Sequence, residues 1–323
     1  MHWLKGLKAR VRFKEPLNIH TTLHIGGPAD VWVEPGDFEG LREVVCRCIK
    51  KQLPYLVIGR GSNILVSDDG FRGIVICLSS PVFSATEVKG TRLICGGGLA
   101  LNKLIRQAQK RGLGGLEFLA GIPASVAGAV AMNAGNRNRA IGSLVESVTA
   151  MDRKGKVRLL KKNQLKFGYR RSNLNRYIVL KVQLGLVRRS PKKISENIAA
   201  NLAQKRRTQD LASKSAGCIF KNPFAIRHPR HSRLPRNMHG GQGLTAGEMI
   251  EACGLKRRRR GGAEISAKHA NYIVNRNGAK AGDVLYLINL AQRQVKKKFG
   301  VLLEPEIRVI GNNPKNREPF SSR

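Results

Sequence analysis

Residues 114–135 read GGLEFLAGIPASVAGAVAMNAG, a stretch in which almost every side chain is small or apolar. So many small residues around a short helix allow the backbone to approach a flat ligand closely. A tightly packed structural helix is the competing interpretation. Pro123 and the glycines make the longest uncharged run, Phe118–Asn136, unsuitable as a membrane span.

On both sides of this stretch, short apolar runs alternate with segments of helical spacing and with Gly-rich turns. This pattern predicts an α+β or α/β fold. Strands are expected at Ala29–Glu34, Tyr55–Ile58, Gly73–Leu78, Arg92–Cys95, Tyr177–Val187, Tyr272–Asn275 and Glu306–Ile310. Helices are expected at Phe38–Lys51, Leu99–Arg111, Ser195–Arg207, Ala246–Cys253 and Ala281–Phe299.

The chain has 323 residues, which is enough for two domains. A strand-like segment meets the sequence RRSPKK at 188–193, so we place the main boundary between residues 190 and 191. The predicted parts are a basic N-terminal segment (1–17), a larger domain (18–190), a smaller domain (191–312) and a tail (313–323).

The composition is strongly basic, with 59 Lys and Arg against 21 Asp and Glu and a net charge of +38. An apolar fraction of 41% and 35 glycines nevertheless indicate a folded, loop-rich enzyme rather than a disordered basic tail. The excess charge between residues 153 and 247 fits a phosphorylated substrate or nucleic acid. It also fits the surface of a protein from a basic proteome, and we favour this second interpretation.

Cysteine and histidine usage argues against a disulfide scaffold and a metal site. None of the six cysteines stands in a Cys-x-x-Cys pair, and of the seven histidines only His20 and His24 have His-x-x-x-His spacing, which alone supplies too few ligands for a metal site. We therefore expect reduced thiols and no metal ion. The basic N-terminus lacks a following apolar segment typical of a secretory signal, so the expected location is the cytoplasm.

A second glycine motif, GRGSN at 59–63, follows an apolar strand. Two glycines with small polar neighbours allow consecutive backbone N–H groups to surround a phosphate. Taken alone, the motif is better interpreted as an ordinary turn, because its spacing is neither a Walker loop nor Gly-x-Gly-x-x-Gly.

Further motifs in a fixed order make the chain resemble a known family. They are IGGPAD (25–30), GRGSN (59–63), the stretch 114–135, FGYR (167–170), SAGCIFKNP (215–223), GGAEIS (261–266), KHAN (268–271) and LEPEIR (303–308). Together they resemble the UDP-N-acetylenolpyruvoylglucosamine reductase (MurB) family over residues 18–311. The short separation between Arg170 and Cys218 is similar to the shorter, type II-like form, which lacks an extra substrate-covering loop.

The resemblance implies an α+β fold, in which an FAD-binding domain of the PCMH (vanillyl-alcohol-oxidase-like) type with two subdomains precedes a smaller α+β substrate-binding domain. It also implies FAD as cofactor and NADPH as co-substrate. Hydride from reduced flavin and a proton from the protein would convert the enolpyruvyl ether of UDP-N-acetylglucosamine to UDP-N-acetylmuramate, a precursor of peptidoglycan.

Three residues match the family's catalytic positions. Arg170 and Glu306 match the pair that polarises the substrate carboxylate, since a guanidinium can grip a carboxylate through two N–H bonds. Cys218 occupies the position of the proton donor, which is commonly serine. A thiol near its reference pKa of about 8.5 is protonated at neutral pH yet gives up its proton more readily than a hydroxyl. A small buried apolar side chain is the alternative interpretation of Cys218.

The remaining site residues are also carried over from the family motifs. The expected cofactor contacts are Gly59, Arg60, Gly61, Ser62, Asn63, Gly121, Ile122, Pro123, Ser125, Gly128, Asn133, Ala134 and Gly135. The expected substrate contacts are Tyr169, Gln209, Lys221, Asn222 and His269.

Three departures from the family pattern stand out. Asp210 replaces the proline that usually follows the glutamine. Residues 224–245 form a basic insertion, and Lys256–Arg260 adds charge to a turn that is normally mildly polar. We interpret the insertion as a mobile basic segment, with a substrate lid or polyanion contact as the alternative.

Two other functions compete with the reductase. One is a flavin oxidase of the same fold that acts on another substrate. The other is a catalytically inactive relative that binds RNA or another polyanion, which would show steeply salt-dependent binding. The reductase interpretation predicts a monomer that binds a UDP-sugar and no specific nucleic acid.

Overall fold

The computed structural model describes residue 4 and residues 6–223 and 244–311. Strands of the described part are β1 Ala9–Pro16, β2 Pro28–Pro35, β3 Tyr55–Ile58, β4 Ile64–Val66, β5 Phe71–Cys77, β6 Thr86–Lys89, β7 Arg92–Gly96, β8 Leu113–Gly114, β9 Val145–Asp152, β10 Val157–Lys161, β11 Phe167–Gly168, β12 Arg171–Ser172, β13 Tyr177–Gly185, β14 Val187–Arg188, β15 Lys214–Cys218, β16 Arg259–Arg260, β17 Ala263–Ile265, β18 Tyr272–Asn275 and β19 Arg308–Ile310. Helices are α1 Phe38–Lys50, α2 Leu101–Lys110, α3 Val126–Ala131, α4 Pro191–Thr208, α5 Ala246–Ala252 and α6 Ala281–Phe299. The tail and nearly all of the basic insertion lie outside the described residues.

The first sheet has the strand order β1-β2-β5-β3, in which β1 is antiparallel to β2 and the other pairs are parallel. Helix α1 packs its apolar face, including Leu41, Val44 and Val45, against this sheet. Strand β1 comes from the segment 1–17, which the sequence analysis separates from the larger domain. Residues 9–16 are therefore part of the first sheet rather than an independent basic extension.

The second sheet consists of five antiparallel strands in the order β10-β9-β13-β7-β6. Helices α2 and α3 share one apolar cluster with this sheet, to which Leu104, Val126 and Val182 belong. The first and second sheets form the two halves of the larger domain.

The stretch 114–135 supports both interpretations offered for it. It contains β8's second residue, a 3-10 turn at Glu117–Leu119 and the six-residue helix α3. Val126 and Val130 of α3 are fully buried in the core, whereas Ala127 and Gly128 face a large cleft. Among the described residues, no helix combines the length and hydropathy of a membrane span.

Helix α4 begins four residues before the predicted start at Ser195. The Ser190 hydroxyl accepts the Lys193 N–H at 3.3 Å, and Pro191 occupies the first helical position, where its missing N–H costs nothing. Ile198 and Leu202 of α4 pack against the core of the second sheet. The helix thus lies against the larger domain, although it follows the boundary predicted between residues 190 and 191.

The third sheet has the strand order β15-β18-β17-β16 and is antiparallel. Helices α5 and α6 cover it with a cluster that includes Met249, Leu287 and Val295. Leu23 and Leu65 of the larger domain belong to the same cluster, and β19 pairs in parallel with β4. The smaller domain is therefore joined to the larger one by both a shared core and a shared strand pair.

The last predicted strand is shorter than expected and starts at Arg308 rather than Glu306. The Glu306 N–H donates to the carbonyl oxygen of Ile219 at 2.7 Å, which withdraws it from the ladder with β4. Tertiary hydrogen bonding, rather than local propensity, thus decides where β19 begins.

The buried carboxylate of Glu264, on β17, joins parts of the third sheet through two arginines. The side chain of Glu264 is 3% exposed and accepts hydrogen bonds from Arg276 (Nη2, 2.8 Å) and Arg259 (Nε, 2.5 Å). Burial alone would raise the pKa of Glu264, but the bonds from Arg276 and Arg259 outweigh it and hold this pKa below its ordinary value.

We expect Glu264→Gln to lower the free energy of unfolding by about 1–3 kcal/mol at neutral pH, because two charge-assisted hydrogen bonds weaken. Since the pKa of Glu264 is depressed on folding, its contribution is present above the ordinary carboxyl pKa and is lost as pH falls through the folded value. Urea unfolding at several pH values measures both effects.

The matched control is Glu251→Gln, which removes an exposed pair with Lys256 and should change stability by less than about 0.5 kcal/mol. Equal losses in the free energy of unfolding would show that the buried pairs of Glu264 stabilise the fold no more than the exposed pair of Glu251 does.

Candidate active site

A cleft of about 910 Å³ lies where the three sheets meet. Its walls come from the turn after β3, the start of α3, the end of α4, strand β15 and the chain before β19. Most of the motifs that carry the family resemblance therefore converge on one cavity.

The GRGSN turn forms one wall of this cleft. Gly61 has a φ of +60°, and a Cβ there would collide with the carbonyl oxygen of His20. A Cβ at Gly59 would collide with the Ser125 hydroxyl, which accepts the Gly128 N–H at 3.2 Å at the start of α3. The two glycine motifs predicted as cofactor contacts thus press against each other, so that backbone rather than side chains forms the wall.

Twelve of the thirteen predicted cofactor residues line the cleft. Asn133 instead lies behind the wall, where its amide donates to the carbonyl oxygen of Gly168 at 2.8 Å and accepts the Gly142 N–H at 2.9 Å. Its direct contact with the cofactor is not supported by the geometry, because its amide is already engaged in fixing the loop that precedes Arg170.

Sequence reasoning missed a third glycine segment, Gly97 and Gly98, which also lines the cleft. A Cβ at either position would collide with a main-chain oxygen, of Val179 or Leu78 respectively. The run of three glycines at 96–98 after a predicted strand was the available signal. A long cleft walled by backbone and small side chains fits a large, flat, phosphate-bearing cofactor.

Arg170 and Glu306 form a partly buried ion pair at the cleft, with 2.9 Å between Nε and Oε1. A second guanidinium nitrogen of Arg170 donates to the carbonyl oxygen of Gly135 at 3.1 Å. Burial raises the pKa of Glu306, although Arg170 and Lys221 oppose that shift. Arg170, which is expected to polarise the substrate carboxylate, is therefore held between Glu306 of the LEPEIR motif and Gly135 at the end of the stretch 114–135.

Backbone hydrogen bonds hold Cys218 beside this pair. The Asn271 side chain accepts the Phe220 N–H at 2.9 Å and donates to the Phe220 carbonyl at 2.8 Å. On the other side, the Glu306 N–H donates to the Ile219 carbonyl. The segment that carries Cys218 is thus clamped from both sides.

The thiol of Cys218 differs from its sequence-based description. Burial and the nearby Glu306 raise its pKa to about 12, far above the reference value of about 8.5 on which the prediction relied, although Arg170 and Tyr272 oppose the shift. Cys218 is consequently a neutral thiol with its proton in place throughout the physiological pH range.

The predicted substrate residues divide into two groups. Gln209 lines the cleft, and Tyr169 lies beside Arg170, with its hydroxyl accepting the Asn222 N–H at 3.3 Å. Lys221 pairs with Glu304 close to Glu306. Tyr169 and Lys221 therefore lie next to cleft residues but do not themselves line the cleft.

His269 and the side chain of Asn222 are otherwise engaged. The His269 ring nitrogen Nδ1 accepts the Asn271 N–H at 3.2 Å, and the ring packs on Tyr272, while His269 itself does not line the cleft. The Asn222 side-chain oxygen accepts the Ala246 N–H at 3.1 Å. These contacts indicate supporting rather than direct roles for His269 and for that oxygen.

Asp210, which departs from the family pattern, ties the cleft wall to the third sheet. Its two oxygens accept hydrogen bonds from Ser213 at 2.8 Å and Ser266 at 3.1 Å. The usual proline offers no such oxygens, so the aspartate fixes this turn by hydrogen bonding rather than by a restricted backbone.

Lys205 is a cleft residue that sequence reasoning missed. Its ammonium donates to the carbonyl oxygens of Ala120 (2.5 Å) and Phe118 (3.4 Å), and burial, together with repulsion from Arg170, lowers its pKa to about 8. One lysine among 59 basic residues carried no signal in the sequence.

Comparison with known proteins agrees with this site. Residues 209–310 match the family model described as UDP-N-acetylenolpyruvoylglucosamine reductase, C-terminal domain, and residues 29–161 match that of an FAD binding domain. The UDP-N-acetylenolpyruvoylglucosamine reductase of Heliobacterium modesticaldum is 40% identical over 302 residues, covering 93% of this chain and 90% of the relative. The chain belongs to the UDP-N-acetylenolpyruvoylglucosamine reductase family.

Other UDP-N-acetylenolpyruvoylglucosamine reductases agree with this assignment. That of Moorella thermoacetica is 41% identical over 307 residues, which cover 95% of each chain. The crystal structure of the Thermus caldophilus protein (MurB) superposes with a TM-score of 0.75 at 35% identity, covering 94% of this chain and 99% of that one.

These matches confirm the predicted family, the α+β fold class with a smaller C-terminal domain, and FAD as the cofactor. The glycine-walled part of the cleft fits FAD. Its diphosphate and ring system would lie against the 59–63 turn, the Gly97–Gly98 segment and residues 121–135.

We expect Gly59→Ala to weaken FAD binding at least about tenfold, because the added methyl group would push the Ser125 hydroxyl out of its cap on α3. Titration of apoprotein with FAD, followed by flavin fluorescence, measures the dissociation constant. Gly282→Ala is the control, since a Cβ at that position meets no atom within 4 Å. Unchanged affinity for FAD in Gly59→Ala would refute the contact.

Proposed function

We propose that this protein uses NADPH to reduce UDP-N-acetyl-3-O-(1-carboxyvinyl)-glucosamine to UDP-N-acetylmuramate in peptidoglycan precursor synthesis. The observation that carries the proposal is the meeting of Arg170, Glu306 and Cys218 in one glycine-walled cleft. Strand β13 and helix α4 lie between Arg170 and Cys218 in the sequence, so it is the fold that brings these two residues together.

Arg170 and Glu306 would act on the substrate carboxylate. When bound, FAD supplies the hydride chemistry. The negative charge that develops on the enolate-like substrate would be stabilised by the Arg170 guanidinium, which is held at 2.9 Å from Glu306 in a partly desolvated site. A protonated Glu306 would donate a further hydrogen bond, which its raised pKa favours.

Cys218 would complete the reaction as the proton donor. Its S–H bond breaks as the new C–H bond forms at the substrate carbon, and the electron pair stays on Sγ until water restores the proton. The high pKa of the free thiol keeps this proton available before the reaction, and Arg170 is positioned to favour the thiolate afterwards.

The diphosphate and sugar of the substrate require polar partners at the cleft mouth. Lys221, Gln209 and Tyr169 are the proposed contacts, supported by their places beside Glu306, in the cleft wall and beside Arg170. We further propose that the protein acts as a monomer in the cytoplasm and binds no specific nucleic acid.

The two alternatives lack a comparable observation. A flavin oxidase acting on another substrate would not need an acid such as Cys218 beside the carboxylate-binding pair. A polyanion-binding relative would not need the clamped geometry around Glu306.

The function is tested by visible absorption of the FAD-loaded protein without oxygen. We expect NADPH to bleach the flavin band and the enolpyruvyl substrate to restore it. Bleaching without recovery would exclude the substrate, and a protein that takes up no FAD would favour the polyanion-binding alternative.

Replacement of the proposed acid should separate the two half-reactions. We expect Cys218→Ala to keep flavin reduction by NADPH and to slow reoxidation by the substrate at least about 100-fold, because general acid catalysis typically contributes 10²–10⁴-fold. Stopped-flow absorbance measures each half-reaction. Cys46→Ala, on helix α1, is the control; reoxidation at the wild-type rate in Cys218→Ala would exclude the thiol as donor.

The protonation state of Glu306 is tested by pH. Since the neutral form is proposed to act, substrate reduction should fall as pH rises through the raised pKa of Glu306. Glu306→Gln keeps a hydrogen-bond donor, so we expect it to lose that alkaline limb and to remain faster than Glu306→Ala. A Gln variant as slow as the Ala variant would instead indicate that the carboxylate form acts.

A further inference from the structure

Tyr272 lies directly opposite Cys218 in the third sheet. The two residues are cross-strand partners of β18 and β15, and a register shift between Ser215 and Cys218 brings them into line. Tyr272 is 6% exposed and lines the cleft. No family motif quoted above assigns a function to this tyrosine.

The phenol and the thiol interact across the two strands. Each affects the pKa of the other, with Tyr272 lowering that of Cys218 and Cys218 raising that of Tyr272, and Arg170 and Glu306 are the charged groups that also act on both. Burial raises the pKa of Tyr272 above its ordinary value, so the phenol keeps its proton and remains a hydrogen-bond donor at every physiological pH.

The ring of Tyr272 is fixed before any substrate arrives. It contacts the His269 ring in a tilted arrangement, with 4.8 Å between centroids and 48° between the ring planes. Its backbone N–H donates to the His269 carbonyl at 2.9 Å, and its carbonyl accepts the Ser266 N–H at 2.8 Å. Tyr272 is therefore held rigidly opposite Cys218, which lowers the entropic cost of a hydrogen bond between the two side chains.

We propose that Tyr272 is a positioning residue for Cys218, donating a hydrogen bond to Sγ that directs the S–H toward the cleft and stabilises the thiolate left after proton transfer. Tyr272 keeps its own proton throughout. The inference rests on the proposed function of Cys218 as proton donor.

The same contact gives His269 a place in the site. Although His269 does not line the cleft, its ring contacts the ring of Tyr272, and its Nδ1 accepts the backbone N–H of Asn271, whose side chain holds the Cys218 segment. His269 would thus act on the substrate only indirectly, through Tyr272 and Cys218.

Tyr272→Phe tests the proposal in the FAD-loaded protein without substrate, with iodoacetamide as the probe and mass spectrometry to separate Cys218 from the other cysteines. Loss of the donor should raise the thiolate pKa, so alkylation of Cys218 at a fixed pH should slow about tenfold. The profile of rate against pH should shift to higher pH. Tyr286→Phe, on the half-exposed face of α6, should leave the profile unchanged.

Stopped-flow absorbance provides the second measurement. We expect Tyr272→Phe to slow reoxidation of the flavin by substrate about tenfold while FAD content and reduction by NADPH stay normal. In the Cys218→Ala background, the same substitution should cause no further loss, because the tyrosine acts through the thiol. An unshifted alkylation profile, or an equal loss in both backgrounds, would overturn the proposal.

Two further outcomes are distinguishable. If Cys218→Ala reoxidises normally, the proposed proton donor fails, whereas the alkylation profile still reports whether Tyr272 binds Sγ. If Tyr272→Phe does not fold, 3-fluorotyrosine placed at position 272 makes the phenol a stronger donor and should speed alkylation at a fixed pH; a profile that moves the other way or not at all would refute the contact.

Discussion

The site depends on one backbone junction, at which three distant segments meet. The Glu306 N–H donates to the Ile219 carbonyl, and the Asn63 side chain donates to the Glu306 carbonyl at 3.1 Å. The Arg308 N–H then donates to the Asn63 carbonyl at 3.0 Å. Through this junction the 59–63 turn, which is proposed to bind the cofactor, the segment that carries the proposed acid Cys218 and the Glu306 segment are fixed relative to one another.

Much of the fold was accessible from the sequence, because local patterns determine it. Strand Tyr55–Ile58 and helix Ala281–Phe299 have the predicted limits, since apolar periodicity and the closing Gly300 act within each segment. The predicted start of α4 at Ser195 was wrong, because a Ser-Pro pair does not by itself indicate the start of a helix. Ser190 acts as a cap only because the residues after it are helical. The limit of β19 was set by Ile219, 87 positions upstream of Glu306, which no local pattern reveals.

The residues of the site were predicted less accurately than the elements of the fold. Motif resemblance found Arg170, Glu306 and Cys218, but it could not distinguish a residue that lines the cleft from one that supports it. Asn133 and His269 are examples, because a polar residue within a motif can serve equally well behind the cleft wall. The pKa of Cys218 was misjudged for a related reason, since burial and a neighbouring carboxylate are properties of the assembled site and not of the thiol.

The shared core has a consequence for the order in which the chain can mature. Leu23, Ile25 and Leu65 are translated early, yet their apolar partners are supplied by the last hundred or so residues of the chain. A nascent chain that ends within α4 therefore carries exposed apolar surface that only completed synthesis can cover. The final packing of this part of the larger domain thus waits for β19 to leave the ribosome and pair with β4.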